Sequence, residues 1–144
     1  MTIPRTIDAS IAVAPQIDPD DMAELAASGF VAIVNNRPDG EDHGQPSGAE
    51  IAAAAHAAGL GYTAIPITHT GFSHPQIDAM AAVLAEAKGP VLAYCRSGTR
   101  SCNLWALAAV KAGAHPDAAM AKAAAAGYDL SGLRPLLDAL ATPA

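Results

Sequence analysis

Val91-Leu92-Ala93-Tyr94-Cys95-Arg96-Ser97-Gly98-Thr99-Arg100-Ser101 decides the reading of this chain. Gly89-Pro90 introduces a short β-prone run, a cysteine ends it, and Asn103 to Val110 follows with helix formers and apolar residues at helical spacing. The segment between is therefore a strand-to-helix loop. Successive backbone N–H groups of such a loop can point inward, Gly98 admits backbone that other residues resist, and the N-terminus of the next helix adds partial positive charge. Negative charge is favoured there, on a bound oxyanion or on a cysteine sulfur, and Arg100 or Arg96 strengthens the field. Cys95 is thus the candidate nucleophile and Arg100 its catalytic partner. Arg96, Ser97, Gly98, Thr99 and Ser101 are candidate anion-binding residues. For Ser101 the alternative is helix capping, and for the whole segment it is a surface turn that happens to contain Cys, Gly and Arg.

Outward from this loop, strands and helices alternate. Ile3 to Val13 has period-two apolarity and reads as an opening strand or pair. A helix is expected from Asp18-Pro19, an acidic N-cap before proline, to a stop at Gly29. Phe30 to Val34 is a continuous apolar run suited to an interior strand, and the polar loop from Asn35 to Ser47 is long enough to reach over a site. Ser47 to Leu60 reads as helix, Thr63 to Ile67 as strand, Pro75 to Ala87 as helix, Val91 to Tyr94 as strand and Ser101 to Ala112 as helix. Two more helices are expected near Pro116 to Ala126 and Ser131 to Leu140. The pattern predicts an α/β fold, a central largely parallel sheet flanked by helices, in a single domain over residues 1–144. Ligands of such sheets sit beyond the carboxyl ends of the strands, where Cys95, the Asn35 loop and His69 converge.

Composition narrows the functional classes. The chain has 144 residues, 51% of them apolar, enough for one ordinary core, and alanine is a quarter of the sequence. Trp105 and Leu104 fall where a helix packs on the sheet and read as core. A net charge of −6 argues against binding a nucleic-acid backbone and makes the arginines around Cys95 more telling. No apolar stretch approaches bilayer length and Met1 to Asp8 lacks the apolar run of a targeting segment, so no membrane association and a cytoplasmic location are expected. The five histidines do not pair with cysteines or carboxylates at metal-ligand spacing, so no metal and no cofactor are expected. Two cysteines, Cys95 and Cys102, suit a reducing compartment, with Cys102 either a resolving thiol or a small buried helix residue.

Asn35-Asn36-Arg37-Pro38-Asp39-Gly40-Glu41, Gln45-Pro46-Ser47, Ile65-Pro66-Ile67 and Tyr94 to Ser101 resemble, in that order, the phosphatase-like domain of the beta-lactamase-hydrolase-like proteins. The resemblance covers nearly the whole chain. It implies a fold like that of dual-specificity tyrosine phosphatases, in proteins regarded either as phosphatases or as sulfurtransferases and linked to persulfide-oxidising enzymes. Cysteine phosphatases place the arginine one residue further from the cysteine than Arg100 stands here, whereas rhodanese-type sulfurtransferases resemble the shorter spacing. Tyr94 stands where tyrosine phosphatases usually carry histidine. After a segment like Ile65-Pro66-Ile67 those enzymes supply an aspartic acid to protonate the leaving oxygen; here Thr68-His69-Thr70 stands instead, with His69 a candidate acid or a solvated loop residue.

These departures favour a cysteine-dependent sulfurtransferase, in which Cys95 takes sulfane sulfur from thiosulfate or a small persulfide and hands it to a thiol acceptor. The alternatives are a cysteine-based phosphatase acting through a cysteinyl-phosphate, and a non-catalytic thiol sensor or binding module. Expected partners are a small anionic sulfur donor, a thiol acceptor and a persulfide-oxidising enzyme. Arg37 is a candidate for the donor's outer oxygens, and Asp39 or Glu41 for orienting an arginine of the cysteine loop. The alternative for this segment is a turn in which Arg37 forms a surface ion pair.

Overall fold

The computed structural model describes residues 3–141, so residues 1–2 and 142–144 of the single-domain reading lie outside the described residues. Five strands form one sheet in the order β1-β2-β5-β3-β4, with β1 Arg5–Asp8, β2 Ile11–Ala14, β3 Ala32–Asn35, β4 Gly61–Ala64 and β5 Val91–Tyr94. β1 runs antiparallel to β2, and every other pairing is parallel. The opening stretch is thus a hairpin, and the sheet is largely parallel as its alternation with helices requires.

Successive residues of the inner strands enter opposite faces. Val91 and Ala93 of β5 join one core with Ile11, Val13 and Val34, while Leu92 and Tyr94 join the other with Ala12, Ala14 and Ile33. The first core is covered by α3 (His74–Glu86), α4 (Thr99–Lys111), α5 (Pro116–Ala125) and α6 (Arg134–Leu140), the second by α1 (Met22–Ala27) and α2 (Gly48–Ala57). Burial on both faces explains why these strands read as unbroken apolar runs. Leu104 and Trp105 are buried in the first core, where alanines at 106, 108, 119 and 123 let the helices approach closely.

Helix starts follow local chemistry. Ser47 and Ser73 each accept the N–H of the third helical residue, and Glu50 and Gln76 return the bond to the cap backbone. Two strands are bounded differently from the sequence expectation. β3 begins at Ala32 and takes in Asn35, whose polar side chain donates to the Tyr62 hydroxyl at 3.0 Å. β4 begins at Gly61 and ends at Ala64: the Gly61 and Ile65 N–H groups bond the Val31 and Asn35 carbonyls, and the ladder stops where the Arg37 N–H turns to the Asn35 side chain. The Asp18-Pro19 start forms a 3-10 turn over Pro19–Asp21 before α1.

Candidate active site

The carboxyl ends of the four parallel strands align, with Tyr94 opposite both Ala14 and Asn35, and Asn35 opposite Ala64. The chain leaves each strand on this one edge. Cys95 follows the central strand and is fully buried; its N–H reaches the Ala14 carbonyl at 3.3 Å. The loop then turns at Gly98, whose φ of +90° lies in the left-handed region and whose N–H donates to the Cys95 Sγ at 3.0 Å. Gly98 is also the N-cap of α4, so the helix begins at Thr99, earlier than Ser101. Sulfur, inward amide and helix N-terminus therefore form one unit, suited to negative charge.

Arg100, in the first turn of α4, is fixed by the 36–47 loop. Its Nη1 donates to Glu41 Oε2 and to the Ile67 carbonyl, both at 2.8 Å, and its Nη2 donates to Glu41 Oε1 at 2.8 Å. The Cys95 sulfur is also among the groups that interact with this guanidinium. Glu41, and after it the Cys95 sulfur, raise the Arg100 pKa above its ordinary value. Reciprocally, Arg100 first and Arg37 next hold the Glu41 carboxyl below the usual carboxylate value.

Arg37 departs from its expected role. It is 5% exposed, and its guanidinium donates to Glu41 at 2.9 Å, Asp42 at 2.7 Å and Gln16 at 3.0 Å. All three nitrogens serve the protein, so Arg37 is a buried strut under Glu41 and is not offered to a donor's oxygens. Asp39 orients no arginine of the cysteine loop; its carboxylate accepts the Gly48 N–H at 2.8 Å, at the start of α2, and Glu41 takes the orienting position. Ser101 does not cap the helix: it is fully buried and donates its hydroxyl to Asn36 Oδ1 at 2.8 Å. Asn36 in turn donates to the Ile65 carbonyl at 2.9 Å, tying α4 to the segment that carries Ile67.

Residues 4–114 match the family described as the beta-lactamase hydrolase-like protein, phosphatase-like domain. The chain belongs to this family. A family relative, a beta-lactamase hydrolase-like protein of Agrobacterium fabrum, is 44% identical over 87 residues, 60% of this chain and 20% of the relative, so the chain spans about a fifth of that protein's length. Among solved structures, a candidate phosphatase of Neisseria meningitidis superposes with a TM-score of 0.81 at 32% identity, covering 94% of this chain and 96% of that one. Kinase associated phosphatase, in a form with its catalytic-site cysteine replaced by serine, gives a TM-score of 0.68 at 15% identity over 97% and 91% of the two chains, a likeness of fold. The family and its neighbours make this a phosphatase-like domain built around a cysteine.

Other loop residues of the phosphatase-like domain take lesser places. The Ser97 and Thr99 hydroxyls bond each other at 3.0 Å, and exposed Arg96 lies 3.4 Å from Asp42. His69 is exposed in the turn from Thr68 to Gly71, just beyond the carbonyl that holds Arg100. Tyr94 is buried, its hydroxyl paired with the Gln16 side chain. Burial, and then proximity to Cys95, pushes the Cys102 thiol up to about 12, which leaves it protonated and suits a core residue. Asp42, Gln16 and Tyr128 escape the sequence reading; the last donates to the Ser97 carbonyl from beyond α5. Nothing local to its own segment signals Tyr128. A cleft of about 350 Å³ between α3, α4 and α5 shares no residue with this loop. Among the described residues, no group of three or more His, Cys, Asp or Glu side chains is placed to hold a metal, and no helix is long and apolar enough to cross a membrane.

Proposed function

We propose that the domain is a cysteine-nucleophile enzyme that forms a covalent intermediate on Cys95, acting first as a phosphatase on a small phosphate monoester. The supporting observation is the pairing of the Gly98 N–H on the sulfur with Arg100 fixed beside it by Glu41. In this reading the Cys95 thiolate attacks phosphorus, a sulfur–phosphorus bond forms, and the bond to the leaving oxygen breaks with its electron pair. The leaving oxygen takes a proton from water or from His69. Water then attacks phosphorus, the thiolate departs, and phosphate is released. The loop amides and Arg100 stabilise charge on the equatorial oxygens in both steps.

A second reading is favoured by two features of this chain: the short spacing from Cys95 to Arg100, and the absence of a carboxylate in Thr68-His69-Thr70, where an acid is needed for a poor leaving group. Here the thiolate attacks the outer sulfur of thiosulfate, a persulfide forms on Cys95, and sulfite leaves with the electron pair of the broken sulfur–sulfur bond. A thiol acceptor then removes the sulfur, directly or on the way to a persulfide-oxidising enzyme. Sulfite needs no strong acid to leave.

Intact mass of the reduced protein after brief exposure to an aryl phosphate or to thiosulfate separates the readings. A gain of about 80 Da with the phosphate, with turnover, supports the phosphatase; a gain of about 32 Da with thiosulfate, discharged by cyanide, supports sulfur transfer. Both disappear in Cys95→Ser. An adduct on Cys95 without turnover of either compound points to a thiol sensor.

A further inference from the structure

The peptide joining Ser97 to Gly98 has partners on both sides of the loop. Its N–H points inward to the Cys95 Sγ at 3.0 Å, and its carbonyl points outward to the Tyr128 hydroxyl at 3.3 Å. In a trans peptide these two groups face opposite ways, so whatever fixes the carbonyl fixes the amide. Glycine at position 98 does not make the choice, since it tolerates backbone on either side of the map and a turned-over peptide would present the carbonyl oxygen to the sulfur.

We propose that Tyr128 is a positioning residue for the cysteine loop, holding the Ser97–Gly98 peptide with its N–H on the sulfur. The inference rests on Cys95 being the nucleophile, whichever group it takes up. Two contacts carry it. The phenol oxygen accompanies the Ser97 carbonyl, and it packs so close to Gly98 that a Cβ there would overlap it. The ring is itself anchored: the Tyr128 N–H bonds the Ala123 carbonyl at 2.9 Å, and the Arg5 guanidinium lies over the ring, 5.5 Å from its centre. Arg5 also donates to the Ala126 carbonyl at 3.2 Å, so β1 steadies the turn that carries Tyr128. Burial raises the Tyr128 pKa, which keeps the hydroxyl a donor across the neutral range.

Tyr128→Phe removes the hydroxyl and keeps the ring. Its circular dichroism and melting should stay near wild type, while the rate of Cys95 modification by iodoacetamide, followed by peptide mass and measured across a pH series, should fall about tenfold near neutral pH and rise only at higher pH. Arg100, Cys102 and Tyr128 each interact with this sulfur, and of the three only Tyr128 is altered. Gly98→Ala, made in both backgrounds, gives a second readout: its added Cβ meets the phenol oxygen, so it should slow modification less in Tyr128→Phe than in wild type. A folded Tyr128→Phe protein with the wild-type pH profile, or strict additivity of the two changes, would overturn the assignment. Wild-type Cys95 that reacts at no pH would overturn the nucleophile reading and this assignment with it.

Discussion

On its front the cysteine loop meets the 36–47 loop through charge, Arg100 bidentate on Glu41 and Glu41 on Arg37, whereas on its back it meets the 126–128 turn through one phenol and the close approach of a glycine. The front support depends on protonation and places a side chain. The back support is neutral and places a backbone amide. Damage to the front should therefore appear as lost stability and acid sensitivity, and damage to the back as altered sulfur reactivity in a stable protein.

The largest expected effect on stability lies at the root of the front support. Arg37 is the most buried member of the ion cluster, its side chain 4% exposed against 28% for Glu41 and 46% for Asp42. Removing it takes the buried partner from Asp42 and Gln16 and leaves Glu41 to Arg100 alone, and Arg37→Met should lower the unfolding free energy by about 3 kcal/mol. Urea titration checks this; a loss under about 1 kcal/mol would show that Arg37 is no strut. The same variant should slow turnover as well, because Glu41 then holds Arg100 less firmly.

Glu41 sharpens the contrast through pH. Hydrogen bonds from Arg100, and then from Arg37, depress its pKa below the ordinary 4.5. A carboxyl depressed in the folded state adds stability that is complete above its unfolded value and is lost as pH falls through the folded value. The wild-type contribution should therefore be constant from about pH 7 to about pH 5 and fade below the ordinary value. Glu41→Gln should be less stable at neutral pH, with the difference from wild type shrinking as acid protonates the native carboxyl. A difference that stays constant into acid would mean that charge on Glu41 does not hold the front together. Tyr128→Phe should show none of this dependence.

The two supports also differ in how far sequence reveals them. Val91 to Tyr94 and the loop after it were legible because a doubly buried strand, a glycine and a helix start each leave a local mark. Glu41 was within reach as a candidate, beside Asp39, to orient an arginine of the cysteine loop, since both loops leave the sheet at the carboxyl ends of its strands. The burial of Arg37 was not, because an arginine beside Pro38 and Asp39 reads as a surface turn until Gln16, brought across from beyond β2, joins its carboxylate partners. Ser101 was hidden for a similar reason: a serine in this loop reads as an anion ligand or a helix cap, yet Asn36 from another strand end claims its hydroxyl. Tyr128 is 31 residues from the carbonyl it meets, and only the packing of α5 onto β1 and α4 brings it there.

Arg96 marks the outer limit of the front support. It stands in the same loop as Arg100 and carries the same charge, but its side chain is 68% exposed and its contact with Asp42 is 3.4 Å. An exposed pair of this kind gains little, because water screens the charges and two mobile side chains lose freedom in making it. Arg96→Ala should therefore change the unfolding free energy by less than about 0.5 kcal/mol. If Arg96 serves the site, it does so by long-range attraction of an anion to an otherwise acidic surface, so Arg96→Ala should raise the KM of an anionic substrate at low salt and leave it unchanged at high salt. A salt-independent loss of kcat in this variant would place Arg96 with Arg100 at the reacting group and break the distinction between the fixed arginine and the free one.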